Sequence, residues 1–93
     1  MDNMELINNP DFIYYHNSPV GRFYIRFSLS MGKWELGMKD EVFGYYLSTM
    51  VAADDVFSQS TGCDEWDMID VEKITEIAPT DIYEWERLPI KRA

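Results

Sequence analysis

Between Arg22 and Ser28 apolar and polar side chains alternate without a break, with Phe23, Ile25 and Phe27 on one side and Arg22, Tyr24 and Arg26 on the other. A period of two marks a half-buried strand, because successive side chains leave a pleated backbone on opposite faces. Ser30-Met31-Gly32 supplies a turn, and Trp34, Leu36 and Met38 then alternate with Lys33, Glu35 and Lys39 in a second strand of the same kind. Asp40-Glu41 makes a tight connection to a third strand, Val42 to Leu47, with Phe43, Tyr45 and Leu47 expected on the buried face. Gly37 and Gly44 fall inside strands, where glycine marks a bulge or the close approach of a large neighbouring ring. Upstream, Phe12-Ile13-Tyr14-Tyr15 is rich in β-formers and reads as a short further strand, bounded by the turn chemistry of Asn8-Asn9-Pro10-Asp11 and Asn17-Ser18-Pro19.

After the third strand the period changes. Ser48-Thr49 offers two N-caps, Met50, Ala53 and Phe57 form a stripe with Ala52 and Val56 beside it, and Asp54, Asp55, Ser58 and Gln59 take the opposite side. Gly62 is expected to close this helix as a residue free to adopt positive φ. The predicted core is Phe23, Ile25, Phe27, Trp34, Leu36 and Phe57.

From Asp64 to Glu86 there are nine acids and a single base, Lys73, so this stretch carries −8 of the chain's formal charge of −9. Trp66, Ile69, Val71, Ile74, Ile77, Ile82 and Trp85 are interspersed, too many apolar residues for a merely solvating tail. Val71 to Ile77 reads as an extended or weakly helical crossing, and Pro79-Thr80-Asp81 as the start of a short helical turn that Leu88-Pro89 ends. The fold class is therefore α+β. An antiparallel sheet of three to four strands carries one helix packed on one face, and the acidic C-terminal segment folds back on it. All 93 residues form one domain, with residues 12–62 as the sheet-plus-helix module and residues 63–93 as its acidic, aromatic extension.

Composition narrows the function classes. A hydrophobic fraction of 46% with 15% aromatics is that of a folded chain, so the negative charge sits on a folded surface. Such an acidic balance opposes simple binding to a phosphate backbone, which needs Lys and Arg to displace condensed counterions. Cys63 is the single cysteine, which excludes an intrachain disulfide and a cysteine-based zinc site and fits a reducing cytoplasm. The first residues lack the basic and apolar regions of a signal peptide, and no apolar run is long enough to span a bilayer, so a soluble, unprocessed chain without a membrane partner is expected.

The pattern from Gly21 to Gly62, with Gly-Lys-Trp opening the second strand, Phe-Gly-Tyr-Tyr in the third and Ser-Thr before an alanine-containing helix, resembles the AP2-type and integrase-arm β-β-β-α DNA-binding domains. The resemblance implies that the outer sheet face contacts nucleic acid through Arg22, Tyr24, Arg26, Lys33 and Lys39. Two departures stand against that: Glu35 sits among those bases, and the tail is acidic. Over a longer span, from Ser18-Pro19-Val20-Gly21 through Thr61-Gly62 to Glu65-Trp66-Asp67, the chain resembles small uncharacterised bacterial proteins of the integron-cassette type, from which no function carries over.

No catalytic chemistry emerges from the residues. His16 has no nucleophile or base at a telling spacing and reads as a turn or surface histidine, and Cys63 as a small packed residue. Asp64, Asp67 and Asp70 lack the glycine and the terminal glutamate of a calcium loop. Neither enzyme activity nor a cofactor nor a metal is expected. What remains is an excess of aromatics, Tyr14, Tyr15, Tyr24, Tyr46, Trp66, Tyr83 and Trp85, over what a small core encloses, and Tyr and Trp favour protein interfaces. The expected function is binding another protein or a second copy of itself, with Arg22, Tyr24, Arg26, Lys33, Lys39, Tyr46, Trp66 and Trp85 as candidate contacts. Edge strands without proline and tryptophans ringed by carboxylates point to a symmetric dimer, or to a monomer whose tail closes in cis. Two alternatives stand beside this: nucleic-acid binding through the outer sheet face, and an acidic decoy that mimics nucleic acid for a DNA- or RNA-binding protein.

Overall fold

The strictly alternating Arg22 to Ser28 segment becomes the central strand of a five-stranded antiparallel sheet in order β4-β3-β2-β1-β5, in a computed structural model that describes residues 8–90. The strands are β1 (Phe12–Ser18), β2 (Gly21–Ser28), β3 (Lys33–Met38), β4 (Glu41–Tyr46) and β5 (Glu86–Pro89). Between β4 and β5 the chain forms three helices, α1 (Thr49–Phe57), α2 (Asp64–Asp67) and α3 (Val71–Ile77), and a 3₁₀ turn at Ile82–Glu84.

Five strands replace the expected three to four. β1 runs on through Asn17 and Ser18, because the Ser18 hydroxyl bonds the Gly21 carbonyl at 2.6 Å and the turn chemistry closes a hairpin there instead of ending the strand early. β5 had no signal, since all four of its residues are exposed and it is held by backbone pairing with β1, by Arg87 over the Phe12 ring at 4.8 Å and by the bond between Glu86 and Tyr15. Leu88-Pro89 thus ends a strand.

Alternation also fails in β4. The register shifts between Leu36 and Gly37, where Gly44 faces Leu36 and Val42 faces Gly37, leaving Phe43 as the extra residue of a bulge. One extra residue reverses the parity beyond it. Phe43 packs inward on Phe23, with ring centroids 6.2 Å apart, whereas Tyr45 pairs with Glu35 on the open face and Leu47 is 86% exposed.

In α1 the buried stripe is Thr49, Ala52, Ala53 and Val56. Its small residues let the helix axis approach the sheet, and Met50 and Phe57 are left exposed at the rim. Phe57 is therefore not a core residue. Ser48 caps the helix, its hydroxyl accepting the Val51 N–H at 3.2 Å. Gly62 does not end it. The Ser60 N–H bonds the Asp55 carbonyl at 2.8 Å and the Gln59 N–H bonds the Val56 carbonyl at 3.3 Å, a Schellman closure with Gln59 in the left-handed region at φ 58°. The Gln59 side chain explains the choice, because its amide donates to the carbonyls of Trp66, Asp67 and Ile69 at 3.0, 3.2 and 2.6 Å.

The core lies between the sheet and the helices and is built on aromatic edges. Fully buried Trp66 stands edge-on to Phe23 at 5.2 Å, while Trp34 contacts Phe27 at 5.4 Å and Tyr14 at 6.1 Å. Phe23, Ile25, Trp34 and Leu36 are buried together, Phe27 packs at the margin, and Ile74, Ile82 and Trp85 complete the cluster.

Candidate functional site: the open face of the sheet

The helices cover one face of the sheet, and the register dictates what the other presents. Arg26 stands opposite Glu35 and Glu35 opposite Tyr45, while Tyr24 stands beside Tyr15 on one side and opposite Gly37 on the other. Asn17 pairs with Arg22. Arg22, Tyr24, Arg26, Lys33 and Lys39 are all on or at the margin of this face. Of these, Arg22, Tyr24, Arg26 and Lys39, with Ile13, line a shallow groove of about 450 Å³.

Gly37 makes room for the centre of the site. A Cβ there would collide with the Tyr24 ring and lie 2.6 Å from the Glu41 carbonyl oxygen, so glycine is what lets the tyrosine lie down on β3. In that position the Tyr24 hydroxyl donates to Glu35 at 2.8 Å, and Arg26 Nε donates to the same carboxylate oxygen at 3.0 Å. The Arg26 guanidinium also lies over the Tyr24 ring, 5.0 Å from its centroid. Partial burial and the bond to Glu35 push the Tyr24 phenol up to about 12, so it is a neutral donor at physiological pH. Glu35 is itself buried, with its charge matched by Arg26, and so acts as the clamp that orients both neighbours.

A second cation and ring lie alongside. Arg22 sits over the Tyr15 ring at 4.6 Å and donates to Asn17 at 2.8 Å, while Tyr15 bonds Glu86 of β5, which raises its phenol pKa. Lys33 and Lys39 extend the positive rim. Lys39 occupies the two-residue turn between β3 and β4 at φ 54°, the left-handed region that ordinary side chains seldom adopt. Among the described residues no carboxylate from Asp64 to Glu86 forms an ion pair with Arg22, Arg26 or Lys33.

Three candidate contacts lie elsewhere. Tyr46 is on the core side, its hydroxyl bonded to Asp55 of α1 at 2.7 Å, and its phenol pKa is raised by burial and by that carboxylate. Trp66 and Trp85 are buried within the chain, so neither is presented as an anchor. The Trp66 indole finds its partner in the Val56 carbonyl at 2.8 Å. Of the surplus aromatics Tyr14 is also buried, and Tyr15, Tyr24 and exposed Tyr83 remain reachable. Ile13 and Tyr45 belong to the face and were missed, Ile13 because strand parity in a two-residue apolar pair is ambiguous, Tyr45 because of the bulge.

His16 is not a turn residue. It sits within β1, half-buried on the helix side, 5.8 Å from the Trp85 ring and 6.4 Å from Trp66, and its Nε2 and the Trp85 Nε1 are buried without a hydrogen-bond partner. Desolvation lowers its pKa, opposed by a bond to the Ile77 backbone and by Glu86. No group of three or more His, Cys, Asp and Glu side chains able to hold a metal occurs among the described residues, and none of their helices is long and apolar enough to cross a membrane. Comparison with protein-family models, with curated proteins and with solved structures returns no match.

Proposed function

We propose that this chain is a binding protein, without catalysis of its own, whose working surface is the open sheet face and whose partner is a protein presenting carboxylates beside apolar side chains. One observation carries the reading. Arg22, Arg26, Tyr15, Tyr24 and Tyr45 crowd a face that no helix of the described chain covers, with Ile13 and Leu88 beside them. Arg and Tyr are the residue types that concentrate binding energy in protein interfaces, and the cations supply complementarity to an acidic partner.

The same geometry weighs against the nucleic-acid reading. Base stacking needs bare rings, whereas Arg22 and Arg26 already lie over Tyr15 and Tyr24. The decoy reading gains nothing, because the acidic stretch is threaded with buried residues such as Trp66 and Ile74 and displays its carboxylates around packed helices.

A photo-crosslinking amino acid placed at Tyr45 and, separately, at Glu72 on α3 tests the proposal in the native host. A discrete protein adduct from position 45, lost when Arg22 and Lys39 are changed to Glu, is the expected result. Adducts equally strong from position 72, or none from 45, sink it. Binding of DNA or RNA at low salt that those charge reversals abolish would transfer the face to nucleic acid.

A further inference from the structure

The groove on the open face is lined by Ile13, Arg22, Tyr24, Arg26 and Lys39, three cations and no carboxylate. Both arginines are held from behind. Arg22 Nε is committed to Asn17 and Arg26 Nε to Glu35, and each guanidinium lies over a tyrosine ring. What each has left to offer is its pair of terminal amino groups, an end-on fork suited to a carboxylate. The Lys39 ammonium forms no ion pair among the described residues. The register sets the order along the groove. Met38 pairs with Phe23, which carries Lys39 to the Arg22 end, and Tyr14 pairs with Ile25, which puts Ile13 beside Arg26. Arg22 and Arg26 are four residues apart on one strand, so their Cα atoms are about 13 Å apart, with Tyr24 between them.

We infer that the groove receives an extended acidic segment of the partner, with two carboxylates four residues apart on one side and an apolar side chain midway between them. The inference rests on the open face being the working surface. Same-side positions of an extended chain recur every two residues, the period of Arg22, Tyr24 and Arg26 themselves. Acid, apolar residue and acid therefore come into step with cation, ring and cation, and Ile13 adds apolar surface beside the ring. On a helix, residues four apart stand only about 6 Å from each other, too close to reach both arginines. Spread over that length of about 13 Å, the groove's 450 Å³ give a cross-section of about 35 Å². That admits one extended chain and is less than half the section of a helix about 10–12 Å across. Charge directs an acidic segment to this face, since Arg22, Arg26, Lys33 and Lys39 gather on it or at its margin while the stretch from Asp64 to Glu86 carries −8. That stretch is not itself the occupant, because it is wound through α2, α3 and the 3₁₀ turn on the covered side.

The test titrates the isotopically labelled full chain in physiological salt with three end-capped peptides and follows amide and arginine side-chain resonances. Glu-Ser-Leu-Ser-Glu holds the proposed spacing, Glu-Glu-Leu-Ser-Ser has the same composition with adjacent acids, and a side-chain-stapled helix presents two glutamates seven residues apart with leucine between. The first peptide is expected to bind at least about fivefold more tightly than the other two and to shift resonances of residues 22–26 and 39. Arg22→Gln with Lys39→Gln should weaken it by at least about tenfold. Arg26→Lys keeps a charge for Glu35 but loses the fork, and should remove most of the preference for the first peptide over the second. Melting of both variants near the parent temperature shows that folding is intact, as expected at exposed positions. Equal affinity for the first two peptides overturns the inference, as do tighter binding of the stapled helix, shifts confined to other residues, and no binding at millimolar peptide. If the peptides fail while position 45 still crosslinks a protein, this inference falls and the interface reading stands; failure of both removes both.

Discussion

The indole N–H of Trp66 donates to the Val56 carbonyl at 2.8 Å, tying the C-terminal half of the chain to the end of α1. The bond gives the Val56 carbonyl a second donor beside the Gln59 N–H of the helix closure, and the ring fills the space over Phe23. Removing the ring removes both.

Trp66→Ala is expected to cost about 3–5 kcal/mol, the range for deleting a buried aromatic, and Phe57→Ala about 1–2 kcal/mol because that residue is 37% exposed at the rim. Chemical denaturation of both variants checks the pair. Equal losses would place the helix in the phase read from sequence instead of the one observed.

The difference between those two residues shows how much the sequence pattern could carry. Strands β2 and β3 follow from strict alternation, and most of their inward set is buried. The phase of α1 does not follow, because Met50, Phe57, Ala52, Ala53 and Val56 spread over a wide arc and hydrophobicity ranks the large residues first. Closeness of approach, set by alanine, decided it. β5 was invisible because Glu86 to Pro89 bury nothing. The cationic members of the open face were legible from parity alone, but Glu35 as their clamp needed the register, and the reversal at Phe43 needed the bulge.

Gly37→Ala tests the resting place of Tyr24. The added methyl meets the phenol ring and also the Glu41 carbonyl oxygen at 2.6 Å, which is backbone. A loss of about 1–3 kcal/mol is expected, as for other overpacked sites. The double variant with Tyr24→Ala should recover only part of it. Full recovery would mean that the backbone contact is relieved without cost.

Gln59 separates backbone strain from side-chain bonding. Gln59→Gly loses the bonds to the Trp66, Asp67 and Ile69 carbonyls but relaxes the left-handed residue, whereas Gln59→Ala loses the same bonds and keeps the strain. Both should destabilise, alanine by about 1 kcal/mol more than glycine. Thermal melts of the two variants side by side give the answer, and a more stable alanine variant would contradict the closure.

His16 predicts the acid limb of the stability curve. Its folded pKa lies below the ordinary 6.5, because desolvation beside Trp66 and Trp85 outweighs the bond to the Ile77 backbone and the attraction of Glu86. The unfolded chain therefore binds a proton at higher pH than the folded one does. The stability contributed by the neutral ring is complete above pH 6.5 and drains away as pH falls toward and through the folded value. The start of the decline below neutral pH belongs to the single histidine. Denaturant unfolding in half-unit steps downward from neutral pH should show stability falling below about 6.5, and His16→Gln should flatten that onset. An onset unchanged in the variant would remove the histidine as its cause, and a histidine ring resonance titrating above 6.5 in the folded protein would reverse the sign of the argument.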